Sequence, residues 1–273
     1  MILIASSKKD VASLNIAKQI LASTRFEEAG NFQGNAAYET RFNDKKVKLV
    51  TLNEESVNAQ DLTSVFHDLE LVVFVSRHSS ESGTPTLSVH TPGNLGSAGL
   101  GGIPRKVSIS PANAMRSALR AMADFKGKMQ LGYEVSYECT HHGPSLDVPA
   151  MYVELGSSVA QWNDTCAAKA VAQAAIETIS LFGVQRAEAV LGIGGLHYNA
   201  KFTRMALDAE LAFGHMIPKY ALGAVDVDIL RQCVERTLET VNRVILDWKG
   251  IRSESKTALV KMLDEIGLPV EKV

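Results

Sequence analysis

An α/β fold of the three-layer α/β/α kind, with a mixed and mostly parallel sheet, is what this sequence predicts. Three observations carry that reading. Short apolar runs alternate with segments of helical period. One run, Leu71 to Val75 (LVVFV), is continuously apolar, as befits a strand covered on both faces. Several runs lead straight into polar loops containing glycine or histidine, and open α/β sheets present ligands at such strand ends.

Met1 to Ala5 reads as a strand, and Ser7 and Asp10 precede the helical spacing of Val11, Leu14, Ile16 and Ile20. Asn35 to Leu52 alternates around Asn43-Asp44 and predicts a hairpin or two short strands. After the Leu71–Val75 strand, residues 82–102 are rich in glycine, proline and serine without helical period, and read as a long functional loop. Ser110, as cap, and Pro111 open a helix to about Phe125, with Met115, Leu119 and Met122 on one face. Gln130 to Cys139 alternates like a strand and stops at Thr140-His141-His142-Gly143-Pro144, and Met151 to Leu155 is another strand. A helix from Asp164 to Phe182 ends at Gly183, and Ala187 to Ile193 is again a strand. Beyond it the pattern predicts a helix over Arg204–Ala212, a strand over Met216–Leu222, a long amphipathic helix over Val227–Trp248 and a last helix over Ser253–Ile266. Without internal repeats, residues 1–273 read as a single domain.

A hydrophobic fraction of 46% with 21% charged residues excludes a disordered or fibrous chain. No apolar run approaches the ~18–20 residues of a membrane span, and the start does not read as a signal peptide, so a cytoplasmic protein without membrane contact is expected. Cys139, Cys166 and Cys233 are far apart and lack CxxC spacing, which predicts neither disulfides nor a thiolate zinc site; Cys139 reads as core filler. The net charge of −2 argues against general nucleic-acid affinity. Residues 101–128 nevertheless carry Arg105, Lys106, Arg116, Arg120, Lys126 and Lys128 against Asp124; six minus one gives +5 and leaves the remainder at −7.

Six of the seven histidines fall in four loop-like segments: RHSSESGTPTLSVHTPGN (His78, His90), THHGP (His141, His142), GIGGLHYNAKFT (His197) and GHMIPKY (His215). A lone histidine is usually a hydrogen-bonded core or surface residue, but six placed in this way point to a shared site. Imidazole binds Zn²⁺ and titrates near neutrality, so the cluster can supply metal ligands, a general base, or both. Glu154 and Glu81 are the candidate carboxylates, Glu81 reading more readily as a solvated loop acid. Adjacent His141 and His142 converge only in a turn, because successive strand residues face opposite ways. No HExxH or zinc ribbon is present, and Gly192-Ile193-Gly194-Gly195 lacks the third glycine of a dinucleotide loop. Lys201 and Lys219, each four residues after a histidine, are candidate oxyanion stabilisers. The combination predicts a metal-assisted hydrolase.

The phrases HSSESGTPTLSVHTPGN, THHGP, ELGSS, GIGGLHYNAKFT and GHMIPKYAL together resemble the archaeal and plant type of D-aminoacyl-tRNA deacylase, over about residues 70–225. That resemblance implies a phosphorylase/hydrolase-like fold, related also to peptidyl-tRNA hydrolases. It further implies zinc, with the number of ions open, and hydrolysis of the ester of D-aminoacyl-tRNA, a proofreading step in translation. It sets His78, His90, His141, His142, Glu154, His197, Lys201, His215 and Lys219 in or near the site. The expected catalytic set is His78, His141, His142, His197, Lys201 and Lys219. The expected metal ligands are His90, His142, Glu154 and His215, and the six cations of 101–128 are the expected tRNA contacts. A monomer without an obligate protein partner is expected. The competing readings are a zinc amidohydrolase or peptidase on small substrates, an esterase like the peptidyl-tRNA hydrolases, and an RNA-binding or metal-binding module without catalysis.

Overall fold

The computed structural model describes residues 1–184 and 186–273. The opening run forms β1 (Ile2–Ser7), buried throughout, and Asp10 caps α1 (Val11–Ser23) by accepting from the Ser13 N–H at 2.9 Å. The hairpin is present as β3 (Asn35–Phe42) and β4 (Lys45–Leu52), preceded by β2 (Glu27–Phe32), an exposed strand that the pattern did not announce. After the short α2 (Leu62–Val65) come β5 (Leu71–Arg77) and β6 (Thr86–His90); β6 lies inside the stretch expected to be loop. A helix α3 (Ala112–Met129), β7 (Glu134–Tyr137) and β8 (Ala150–Gly156) follow, then the short α4 (Val159–Trp162) and α5 (Thr165–Ser180).

These eight strands make one mixed sheet in the order β2-β3-β4-β1-β5-β8-β6-β7. Pairs β1/β4, β1/β5, β5/β8 and β6/β7 are parallel, whereas β6 runs against β8. Helices α1, α3 and α5 cover one face, where Val73, Val75, Leu87, Val89 and Val153 pack against Ile16, Met115, Leu119, Met122 and Val171. The α/β class with a mixed, mostly parallel sheet is therefore the observed one.

A second sheet was not expected. It is wholly parallel, in the order β10-β9-β11-β12, from β9 (Glu188–Ile193), β10 (Leu211–Ile217), β11 (Val241–Leu246) and β12 (Val270–Lys272). Between these strands lie α6 (Ala200–Asp208), α7 (Val227–Glu235) and α8 (Ser253–Ile266). The long helix expected over Val227–Trp248 is thus split: α7 stops at Glu235, and the β-branched run of Val241, Val244 and Ile245 becomes a buried strand. Ser110 is also not the cap of α3. The carboxylate of Glu239, from the turn before β11, accepts from the N–H groups of Ala112 (2.9 Å) and Asn113 (3.0 Å), tying the two sheets together. Among the described residues no helix is long and apolar enough to cross a membrane.

Candidate active site

Strand alternation decides where the chemistry collects. Along β8, Met151 and Val153 turn to the helix-covered face, so Tyr152 and Glu154 turn to the other. Glu154 lies beside Ser76 of β5 and Ser88 of β6, and Tyr152 lies beside His90, the last residue of β6. His78 follows β5, and Glu138 follows β7. Because β6 and β7 run against β5 and β8, these residues gather across a sheet face and not along one row of strand ends. Two loops of the second sheet close over them: His197 and Tyr198 leave β9, and Tyr220 leaves β10.

Glu138, 0% exposed, is the hub. Its Oε2 accepts from His197 Nε2 at 2.8 Å and lies 3.6 Å from His141 Nε2, while Oε1 is 3.1 Å from His78 Nδ1. His78 Nδ1 is also 3.6 Å from Glu154, and its Nε2 meets the hydroxyl of Tyr198. Gly156 leaves room for this ring, since a Cβ there would sit 2.6 Å from His78 Cβ. Burial opposes charge on His78, but hydrogen bonds to Glu138 and Glu154 outweigh it and raise its pKa to about 11. His197 likewise rises against burial, to about 10, through its bonds to Cys139 and Glu138. Burial would protonate Glu138, yet these two partners hold it well below the usual carboxylate range. Burial prevails at Glu154, whose pKa climbs to about 7 in spite of His78.

A second group is built from rings alone. His141 Nδ1 donates to the carbonyl of Cys139 (2.8 Å) and His142 Nδ1 to that of Gly143 (2.7 Å), which leaves both Nε2 atoms as lone-pair acceptors. His90 stacks on Tyr152 at 5.0 Å with 2° between planes, and its Nε2 faces that of His142 at 3.2 Å. Burial and the neighbouring imidazoles push His90 well below its ordinary pKa, take His141 to about 3 and lower His142. His90, His141 and His142 thus offer nitrogen atoms within 4.8 Å of one another and could hold a metal; so could Cys139, His141 and His197, or His78, Glu138 and Glu154.

Two cavities open on the histidine pair. One, of about 380 Å³, is bounded by Glu55, Ser76, Arg77, Ser79 and Glu154; the other, of about 270 Å³, by Asn94, Leu95, Ser97, Pro218 and Tyr220. Leu100, His141 and His142 line both. A depression of about 420 Å³ among Arg25, Glu28 and Arg41 is larger, but it lies on the outer strands β2–β4, away from this chemistry.

A family model described as D-aminoacyl-tRNA deacylase matches residues 65–271. Relatives named D-aminoacyl-tRNA deacylase include one from Thermococcus kodakarensis, 35% identical over 98% of both chains. Another, from Ignicoccus hospitalis, is 39% identical over 77% of this chain and 83% of its own. The chain belongs to the D-aminoacyl-tRNA deacylase family. The crystal structure of a conserved protein of unknown function is also similar to this deacylase-family chain, with a TM-score of 0.88 at 28% identity over 100% of this chain and 95% of that one.

Within this deacylase-family fold the expected residues separate. His78, His90, His141, His142, Glu154 and His197 come together. His215 does not join them: its Nδ1 meets Thr140 Oγ1 at 3.1 Å and its Nε2 donates to the Arg236 carbonyl at 3.1 Å, so it buttresses the THHGP turn from behind. The four expected metal ligands are therefore split three ways. Lys201 is paired with Asp247 at 2.5 Å, and Lys219, half-buried, donates its backbone N–H to Gly195 at 3.0 Å; neither is among the described residues lining the two cavities. Glu81 is exposed.

The basic segment is dispersed as well. Arg116 is 4% exposed and donates to the carbonyls of Ala206 (3.1 Å) and Ala209 (2.8 Å), which removes it from any phosphate surface. Arg120, Lys126 and Lys128 ride on α3, on the sheet face opposite the histidines. Arg105 and Lys106 remain on the near side, paired with Asp226 (2.5 Å) and Asp147 (2.8 Å). Sequence reasoning missed Glu138, Glu55, Tyr198 and Tyr220. Of these, Tyr198 was visible beside His197, and Glu138 stood in the polar phase of a strand directly before Cys139-Thr140-His141-His142.

Proposed function

We propose that the chain hydrolyses the ester of D-aminoacyl-tRNA, releasing free D-amino acid and tRNA, with the histidine and carboxylate cluster as its active site. The observation that carries this reading is the buried carboxyl of Glu154, its pKa raised to about 7 by burial, lying 3.6 Å from His78 on a cavity wall shared with His141 and His142. Ionised Glu154 takes the proton of a water whose oxygen forms the new bond to the ester carbonyl carbon. Protonated His78, on the wall of the larger cavity and held between Glu138 and the hydroxyl of Tyr198, presents positive charge toward the oxygen that gains negative charge. As the carbon–oxygen bond to the ribose breaks, the proton held on Glu154 passes to the departing hydroxyl. His197, fixed by Glu138, adds positive charge to the wall.

Zinc fits the ring group. His90 has a buried, unpartnered Nδ1, its Nε2 lies 3.2 Å from that of His142, and one ring nitrogen from each of His90, His141 and His142 lies within 4.8 Å of the others, a set of neutral imidazoles that suits such an ion. His90, His141 and His142 would hold the ion, which supplies Lewis acidity to the ester and makes water a better nucleophile near neutral pH. With such a substrate the chain would work in the cytoplasm, as a single-domain monomer.

The test is cleavage of matched D- and L-aminoacyl-tRNA by the purified protein. Release of the D-amino acid at a rate well above that of the L-isomer is expected, with the activity lost in His141→Ala. Equal cleavage of the L-substrate would contradict the reading.

A further inference from the structure

An ester has an acyl half and an alcohol half, and the site has two chambers meeting at the histidine pair. Leu100, 66% exposed, stands between them, with its backbone pinned where the carbonyl accepts from the Gly143 N–H at 2.8 Å. The chain just after Leu100 approaches Gly143 closely, because a Cβ on Gly143 would fall 2.2 Å from Gly102 N.

The chambers differ in chemistry. Apart from the shared histidines, the smaller one has no charged side chain among its described lining residues. It offers Leu95, Pro218, the Asn94 amide and the ring of Tyr220, which is held at one end by its hydroxyl, 3.1 Å from His197 and 3.3 Å from Cys139, yet is 61% exposed. Such a ring with apolar neighbours suits a planar, uncharged base. The larger chamber is lined by charged groups already paired with one another, Glu55 with Arg77 at 3.0 Å and Glu154 with His78 at 3.6 Å, together with His197 and the hydroxyls of Ser76 and Ser79. With a base seated in the smaller chamber and the ester carbonyl over the shared histidine pair, the acyl side of the bond faces the larger chamber, on the wall that carries Glu154.

We propose that the smaller chamber receives the terminal adenosine of the tRNA, with its base against Tyr220, and that the larger one receives the aminoacyl group. The assignment rests on the reading of this chain as a D-aminoacyl-tRNA hydrolase. Leu100 is then the wall that registers the ester bond over His141 and His142, and the volume open to the amino-acid side chain is set by the Glu55 side of the site.

The test crosses acyl size with alcohol size. D-alanyl and D-tryptophanyl groups are each presented as methyl esters and as 2′(3′)-adenosine esters, to the wild type and to Ser97→Trp and Ser79→Trp. Both serines are exposed, one in each chamber. Ser97→Trp should lower kcat/KM for adenosine esters relative to methyl esters by about tenfold, the scale of one lost stacking contact, whichever acyl group is carried. Ser79→Trp should instead lower the D-tryptophanyl esters relative to the D-alanyl esters with either alcohol. In the wild type, adenosine monophosphate should compete with the adenosine esters, a readout that needs no variant.

Exchange of the two patterns, unchanged ratios in both variants, or failure of adenosine monophosphate to compete would overturn the assignment. Those results leave the deacylase reading standing. A wild type that cleaves neither these esters nor D-aminoacyl-tRNA removes that reading itself.

Discussion

His90, His141 and His142 on one side and His78 and His197 on the other share a sheet face, yet they are charged in opposite ways. The first three are buried against one another and against backbone carbonyls, so desolvation and mutual repulsion keep them neutral with lone pairs available. The other two meet Glu138 within 3.1 Å, and that acid, with Glu154 at His78 and with Cys139 at His197, holds both protonated against the same burial. A carboxylate at hydrogen-bond distance therefore separates an imidazole that keeps a lone pair for a metal or a proton from one that is already charged. Residue type alone does not.

The change that breaks this contrast most severely is Glu138→Gln. It strands two buried imidazolium groups, so unfolding in urea should show a loss of about 3–5 kcal/mol, with activity abolished. Retained stability would mean that His78 and His197 are neutral. His141→Ala and His142→Ala come next, each lowering kcat for D-aminoacyl-tRNA about 10²- to 10⁴-fold in steady-state assays while the fold persists.

The pH profile sharpens the assignment of the proton acceptor. In the proposed reaction Glu154 acts ionised, and burial raises its pKa to about 7, so the rate should climb as pH rises through that value. It should then hold until His197 loses its proton near 10. Glu154→Gln should lower the rate and remove the lower limb; a limb that persists in that variant belongs to another group. The smallest effect concerns the two faces of the sheet. Arg105→Glu, on the loop beside the smaller cavity, should weaken tRNA binding and reduce its salt slope by about one, while Arg120→Glu on the opposite face should not.

Much of the fold was legible because single-period segments announce themselves. The strands at 71–77, 150–156 and 188–193 and the helices at 165–180 and 253–266 lie within a few residues of expectation. The misreadings have physical causes. Val227–Trp248 carries apolar residues at spacings that suit a helix throughout, and only the contact of Val241, Val244 and Leu246 with β9 and β12 selects a strand for its second half. Glu138 escaped notice because a polar strand face reads as solvent-facing, and nothing local reveals that loops from a second sheet will cover it. His215 and Lys201 looked functional from their neighbours, but Arg236 and Asp247, distant in sequence, occupy them. Arg116 shows the same limit for charge: a local balance of +5 says nothing about which guanidinium is buried.

The division of labour between the two histidine groups is tested most directly by zinc content. Purified wild type, His141→Ala and Glu154→Gln should be stripped with a chelator, reloaded with zinc, dialysed and analysed for bound metal alongside D-aminoacyl-tRNA cleavage. The account predicts that His141→Ala loses both zinc and activity, whereas Glu154→Gln loses activity and keeps the zinc held by His90, His141 and His142. Zinc retained in full by His141→Ala, or lost from Glu154→Gln, would contradict it.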